Sequence, residues 1–458
     1  MIVSFKFRRA SAVSFAHALS GMVFGLLLAA DPGAAATAED AATAPVQAPA
    51  PAAEAAAPAA AVTKLAAPPA ASGVEAGSRV LLVAQAHFID QKNPTTGKVE
   101  SNPGPARLII LREGATGWTS ETLDDPESNV FHKAVVLDGK ILTIGGNEAL
   151  LKTWSRGTDG KWTAETHWHP KFGGKANRLR DFEVADVDGD GKQEIVIATH
   201  DQGVIAIVHP DENWRVEEID RTPATFVHEI EIGDVDGDHQ LEIFATPSKP
   251  NRLREKQAGE VVMYRRGKDG KWARTVVDAP GDTHAKEILA ADTDGDGKSE
   301  LFIDWEGAFD QRRLLREVTI KQYRWDDKDK ILNALVANLP DSLSRATAAG
   351  DVTGDGRADL VAGSMMSGLW LLEQTPAGWK RVLIDGNSSG FEQPVLLVEL
   401  DGKPPLEIVV ASEDQAELRT YRRNGTSFEK EVLAPLQEGD FSWNVNEGRL
   451  PAAATTAP

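Results

Sequence analysis

The chain has 458 residues, in which 69 Asp and Glu against 49 Lys and Arg leave a formal charge of −20. That balance argues against a nucleic-acid partner, because phosphate backbones are met by clustered cations. The sequence has no cysteine, which excludes a disulfide framework, a cysteine-linked lipid anchor and thiol catalysis, so rigidity has to come from core burial, ring closure or bound ions.

In chain order, residues 1–36 read as a secretory signal. Lys6, Arg8 and Arg9 precede an apolar stretch from Ala10 to Ala30, and Ala34-Ala35-Ala36 or Ala36-Thr37-Ala38 supplies the small residues of a cleavage site. The stretch is also long enough for an uncleaved anchor, the one route by which a membrane becomes a partner. Residues 37–77 are dominated by Ala and Pro and read as a disordered spacer, and residues 451–458 as a similar tail. The expected location is secreted, periplasmic or at the cell surface.

Residues 78–450 are repetitive. The loop Asp186-Val-Asp-Gly-Asp-Gly-Lys-Gln-Glu194 recurs at Asp234–Glu242, Asp292–Glu300 and Asp351–Asp359. Acids at loop positions 1, 3, 5 and 9 give the candidate ligands Asp186, Asp188, Asp190 and Glu194, then Asp234, Asp236, Asp238 and Glu242, then Asp292, Asp294, Asp296 and Glu300, and finally Asp351, Asp355 and Asp359. A short loop of carboxylates turning sharply on a glycine suits a hard, oxygen-seeking cation, and Ca²⁺ is the expected cofactor. An EF-hand would place its last acid later and run on into a helix. Here the loops lead into Ile195-Val-Ile-Ala198, Ile243-Phe-Ala245, Leu301-Phe-Ile303 and Leu360-Val-Ala362, which read as strands. For any single copy, the alternative is an acidic β-turn without metal. His239 replaces the turn glycine in the second loop and Thr353 an acid in the fourth. A fifth copy, Glu399 to Glu407, carries Lys403 at a ligand position and is expected to be metal-free, while a sixth, Asp138-Gly139-Lys140, has shrunk to a hairpin turn.

A second signature shares the spacing, which is on the order of 50 residues. Trp118, Trp162, Trp214, Trp272, Trp379 and Phe428, with Trp325 as a looser seventh, follow short turns and begin apolar strands. Each unit then has four strands: inner strand, acidic hairpin, second strand, third strand and an outer strand led by Trp, whose ring is expected to pack between units. Seven units fit, so the fold class is all-β, a seven-bladed β-propeller of four-stranded blades. The first unit opens at Arg79-Val-Leu-Leu-Val83 as a second strand, and Phe441-Ser-Trp-Asn-Val445 is expected to supply its missing inner strand and close the ring. On these loops the region resembles the FG-GAP/VCBS family of calcium-loop propeller repeats, also found in the head of integrin alpha subunits. It lacks a clear Phe-Gly followed by Gly-Ala-Pro. The resemblance implies the fold and bound Ca²⁺, but little about function, because such propellers serve as adhesion modules, lectins and polysaccharide lyases alike.

Up-and-down blades put the acidic hairpins on one face and the longer second-to-third and blade-to-blade connections on the other. His132, His167, His169, Arg180, His200, His228, His284, Trp305 and Arg345 belong to that second face and are the candidate ligand-binding residues, whereas His209 and His239 do not. Imidazole and guanidinium groups bind carboxylates or sulfates, and an aromatic face can stack on a sugar. The first expectation is a non-catalytic module that binds a glycan or an extracytoplasmic protein. The second is a lyase acting on an anionic polysaccharide, with His228 and His284 as candidate bases. Zinc held by converging histidines, a pure scaffold and ordinary surface histidines are further alternatives. Tyr264, Tyr323 and Tyr421 occupy matching third-strand positions and read as packing residues rather than proton donors.

Overall fold

The computed structural model describes residues 77–451, except 96, 175–176, 201 and 251–254. The signal segment, nearly all of the spacer and residues 452–458 of the tail lie outside the described residues. Seven four-stranded antiparallel sheets form a β-propeller, with one extra hairpin, Ala308–Asp310 and Arg313–Arg316, inserted in the fifth blade. Among the described residues no helix is long and apolar enough to cross a membrane.

Blades 2 to 7 follow the chain, with innermost strands Phe131–Leu137, Leu179–Ala185, Phe226–Gly233, Ala285–Ala291, Ser344–Gly350 and Val395–Val398. Blade 1 is composite. The last strand, Phe441–Leu450, pairs antiparallel with the first, Ser78–Lys92, with Val445 opposite Val83, and becomes the innermost strand of that sheet. Pairing the two ends of the chain removes an open sheet edge.

The second and third strands are apolar almost throughout because both of their faces are covered by neighbouring blades. Side chains alternate between faces along a strand. Val80, Leu82 and Ala84 pack towards blade 2, while Leu81 and Val83 pack towards blade 7. Seven such clusters correspond to the seven blade interfaces. Each fully buried Leu, Ile or Val contributes about 1.5–3 kcal/mol.

The outer-strand aromatics seal these clusters against the preceding blade: Trp118, Trp162, Trp214, Trp272, Trp379 and Phe428. Trp325 is not a seventh. It ends the third strand of blade 5, Val318–Trp325, and Ile331 takes the outer position, because the turn Asp326 to Lys330 begins only after the tryptophan. Three tyrosines staple blades together. Tyr264, Tyr323 and Tyr421 donate to Asp220, Asp278 and Asp385 of the preceding blade's outer strand at 2.6, 2.5 and 2.9 Å.

Candidate ligand and metal sites

The mouth opposite the acidic hairpins is built by one backbone irregularity used repeatedly. In blade 2, Phe131 pairs with Gly145 and Lys133 with Ile144, leaving His132 as an extra residue. The same bulge leaves Arg180 in blade 3, Lys286 in blade 5 and Arg345 in blade 6. In blade 4, His228 and Glu229 together face Thr246, and in blade 1 Trp443 is the extra residue between Ser442 and Asn444. A bulge re-aims its side chain out of the ordinary alternation. Six inner strands thereby present His132, Arg180, His228, Lys286, Arg345 and Trp443 at one level. All are buried except Trp443, which is half-buried.

These groups form a network over the axis. Arg345 donates to Glu306 and to Glu392, each at 2.8 Å, and stacks on Phe391 at 4.2 Å. Arg180 of blade 3 lies 3.7 Å from Glu392 of blade 7, on the opposite side of the ring, and its guanidinium sits 4.5 Å over Trp443. His132 meets the same indole edge-on at 4.9 Å. His284 Nε2 is 3.1 Å from Glu306 Oε2. Burial pushes the Glu306 carboxyl upward, but Arg345, Lys286 and His284 outweigh it and hold it well below the usual carboxylate range. Arg180, Arg345 and Lys286 thus face two carboxylates, Glu306 and Glu392. Lys286 is the surplus cation, with no hydrogen bond or ion pair among the described residues. Burial, reinforced by Arg345, brings its pKa down to about 7.

His200 Nε2 lies 3.2 Å from His228 Nδ1, and His200 stacks on Phe226 at 4.4 Å. Whichever ring donates, this neutral pair leaves one donor and one acceptor over. His200 Nδ1 and His228 Nε2 are the atoms left, both buried and without hydrogen-bond partners among the described residues. Burial and the neighbouring cationic side chains hold His132, His200 and His228 well below the usual histidine range, so all three are neutral. The nearby cations also oppose a metal ion, and no group of three ligating atoms among the described residues includes these histidines.

Three of the sequence-predicted residues do not join this set. His167 stacks on Trp214 at 3.5 Å between blades 2 and 3. His169 is exposed and pairs with Glu148 at 2.7 Å. Trp305 lies in the core of blade 5, donating to Tyr323 at 3.2 Å. Sequence reasoning singled out neither Trp443 nor Glu392 as a site residue. Below the bulges the inner strands turn acidic, with Asp181, Glu183, Glu229, Glu231 and Glu287 around Lys133, which pairs with Asp181 at 3.1 Å and also with Glu183. Burial pushes Glu229, Glu231 and Glu287 well above the usual carboxylate range.

At the opposite face the acidic hairpins gather oxygen ligands. Asp186, Asp188 and Asp190 bring ligand atoms within 4.8 Å of one another, as do Asp234, Asp236 and Glu242, and Asp292, Asp294 and Glu300. The backbone wraps each first acid: Asp186 accepts from the N–H groups of Gly189, Asp190 and Gly191 at 2.8–3.1 Å. These donor sets fit a hard divalent cation, although Arg265 already pairs with Asp236 and Glu242, and Arg324 with Asp294 and Glu300. In blade 6, Arg357 already pairs with Asp355, and Asp351 accepts from Gly354 and Gly356. In the fifth loop Arg422 bridges Asp401 and Glu407.

Closed ring and repeated acidic hairpins together define a seven-bladed β-propeller, several of whose blades carry clustered carboxylates. The chain carries FG-GAP repeats: an FG-GAP-like repeat model matches residues 186–245 and an FG-GAP repeat model matches residues 344–378. No curated protein matches the sequence. Among solved structures, a protein from Lactobacillus plantarum is similar at 12% identity and a TM-score of 0.50, over 81% of this chain and 100% of that one. The periplasmic gluconolactonase of Pseudomonas aeruginosa is similar at 12% identity and a TM-score of 0.49, over 81% and 99%. At such identities the likeness shows the fold alone.

Proposed function

We propose that this protein is an exported propeller module, stabilised by Ca²⁺ in its acidic hairpins, that binds the anionic end of a glycan at the axial mouth. The observation that carries this reading is Lys286, a buried cation that makes no hydrogen bond or ion pair among the described residues, set beside Arg180, Arg345 and the His200–His228 pair. A buried, unpaired cation is costly in a structural role and useful in a binding one. Five of the six ring side chains are buried and the sixth is half-buried, so a chain end or single sugar residue bearing a carboxylate or sulfate suits them better than a flat extracytoplasmic protein face. The half-buried indole of Trp443 supplies an apolar face beside the cations.

The test is calorimetric titration with uronic-acid oligomers, sulfated oligomers and their neutral counterparts. Charged oligomers are expected to bind and neutral ones not, and Lys286→Met is expected to abolish the binding. Equal binding of neutral oligomers, or an unaffected Lys286→Met variant, rejects the proposal. Sequencing the N-terminus of the mature protein tests export, with cleavage after Ala36 or Ala38 expected.

One observation favours a second reading, a lyase. His284 is oriented by Glu306 next to Arg345, as a base beside a carboxylate-neutralising group would be. The three tyrosines are locked to aspartates between blades and do not serve as proton donors there. Elimination would appear as growing ultraviolet absorbance of a conjugated unsaturated uronate during incubation, lost in His284→Ala.

A further inference from the structure

Each acidic hairpin lies beside the end of its blade's third strand, and the residue at one position there decides what its carboxylates face. In blades 3, 4, 5 and 7, the second-strand residues Ile195, Ile243, Leu301 and Ile408 pair with Val208, Tyr264, Tyr323 and Tyr421. The next residues are His209, Arg265, Arg324 and Arg422. Arg265 reaches Asp236 at 3.1 Å and Glu242 at 3.0 Å, the third and ninth loop acids. Arg324 spans Asp294 at 2.7 Å and Glu300 at 3.2 Å, and Arg422 joins Asp401 to Glu407. In these three blades a built-in guanidinium neutralises that pair of acids.

Blade 3 has the same two acids, Asp188 and Glu194, but an imidazole in place of the guanidinium. His209 is only 5% exposed. Its Nδ1 lies 3.8 Å from Glu194 Oε1, its Nε2 lies 3.7 Å from Glu217 Oε2, and Nε2 makes no hydrogen bond among the described residues. Ligand atoms of Asp188, Glu194 and His209 lie within 4.8 Å of one another. Two other cations stand beside the hairpin. Arg266 of blade 4 donates to the Asp188 carbonyl at 2.9 Å and stays 3.8 Å from its carboxylate, while Lys192 pairs with Asp190 and Asp211.

We infer that Asp188, Glu194 and His209 form a site for a divalent transition-metal ion of the Zn²⁺ class, which occupies the place of the arginine in the sister blades. Two carboxylates and an imidazole suit a borderline metal, whereas Ca²⁺ selects oxygen alone. The site shares Asp188 and Glu194 with the acidic hairpin, whose other acids are Asp186 and Asp190, and adds the nitrogen of His209. It ties the hairpin to the third strand, as Arg265 and Arg324 do without a metal. This inference does not depend on the ligand-binding reading of the mouth.

Co²⁺ and Zn²⁺ are the probes, added to metal-stripped full-length protein in excess Ca²⁺. Wild type is expected to develop a visible Co²⁺ ligand-field spectrum that Zn²⁺ displaces, and to gain thermal stability with Zn²⁺ beyond that given by Ca²⁺. His209→Ala removes the spectrum and weakens Zn²⁺ by more than the roughly 10–100-fold cost of losing an outer-shell partner. His209→Arg copies the sister blades, so it folds, matches or exceeds the stability of the metal-free wild type, and loses the Co²⁺ and Zn²⁺ responses. His239→Ala, in the next hairpin, changes neither. A Co²⁺ spectrum that persists in His209→Arg, or the absence of any Zn²⁺ effect on wild type in excess Ca²⁺, overturns the assignment.

Discussion

The two ends of the ring follow opposite plans. At the hairpin end, sequence and backbone repeat together: the same acids, at the same spacing, turn the same corner in blade after blade. At the mouth only the backbone repeats. Six inner strands carry a bulge at the same level, yet they fill it with His132, Arg180, His228, Lys286, Arg345 and Trp443. The difference has a physical origin. Every blade needs its own hairpin closed, so one solution is copied; a ligand on the axis shows a different side to each blade, so a binding ring must vary its side chains while keeping the geometry that aims them.

The largest expected effect is at the mouth. Arg345→Ala leaves Glu306 and Glu392 buried without their main partner and is expected to cost about 3–5 kcal/mol in urea unfolding, as for other broken buried ion pairs. A loss within the roughly 0.5 kcal/mol of a surface change would mean that the mouth is not a tight ionic network.

Lys286 sharpens the comparison in the other direction. It faces Arg345, Arg180, Glu306, Glu392, His228 and His284. Its folded pKa of about 7 lies below the ordinary lysine value, so between these two values the unfolded chain holds the extra proton, and stability rises with pH. Below pH 7 the folded protein bears the full cost of the buried charge. Lys286→Met is therefore expected to be more stable than wild type at pH 6, with the gap closing as the pH rises from 7 towards the ordinary lysine pKa. Anion binding by wild type should weaken as the pH passes through 7. A variant that loses stability at pH 6 would make Lys286 a structural residue.

Chelation probes the hairpin end. At millimolar affinity and about tenfold saturation, each Ca²⁺ adds about 1.4 kcal/mol, so removing it should lower the melting temperature. Anion binding should survive at temperatures where the protein stays folded. Loss of binding without loss of thermal stability would break the separation of the two ends.

How much of this was legible follows the same division. The repeated aspartate loops and outer-strand aromatics gave away the blade count, the hairpins and the closing strand Phe441–Leu450, because a copied solution leaves a periodic trace. The mouth left none. His132, Arg180, His200, His228, His284 and Arg345 were reached through loop topology, but the same argument drew in His167 and Trp305, since it sorts residues by face and not by distance from the axis. A bulge has no residue-type signature, so the equivalence of Trp443 with the others emerges only from strand pairing. His209 was set aside for lying on the hairpin face, although among the three hairpins that keep all four acids it is the third-strand position where Arg265 and Arg324 have no counterpart.

The smallest effect separates the plans most cleanly. The sixth hairpin position is Gly191, Gly297 and Gly356 in three loops, with φ of +87°, +89° and +85°, and His239 in the fourth, with φ of +66°. Its side chain is 92% exposed, so it contributes little packing against the strain of a left-handed backbone, roughly 1–2 kcal/mol for a non-glycine residue. The greater freedom of glycine in the unfolded chain offsets part of this. His239→Gly is accordingly expected to stabilise by about 0.5 kcal/mol, seen as a higher urea midpoint at unchanged slope. The equivalent move at the mouth, drawing Lys286 towards its neighbour by Lys286→Arg, should weaken anion binding instead, since a bulkier planar guanidinium cannot take the place of a compact ammonium in a buried ring. Restoring the repeat should help where the repeat is the design and harm where its breakdown makes the site.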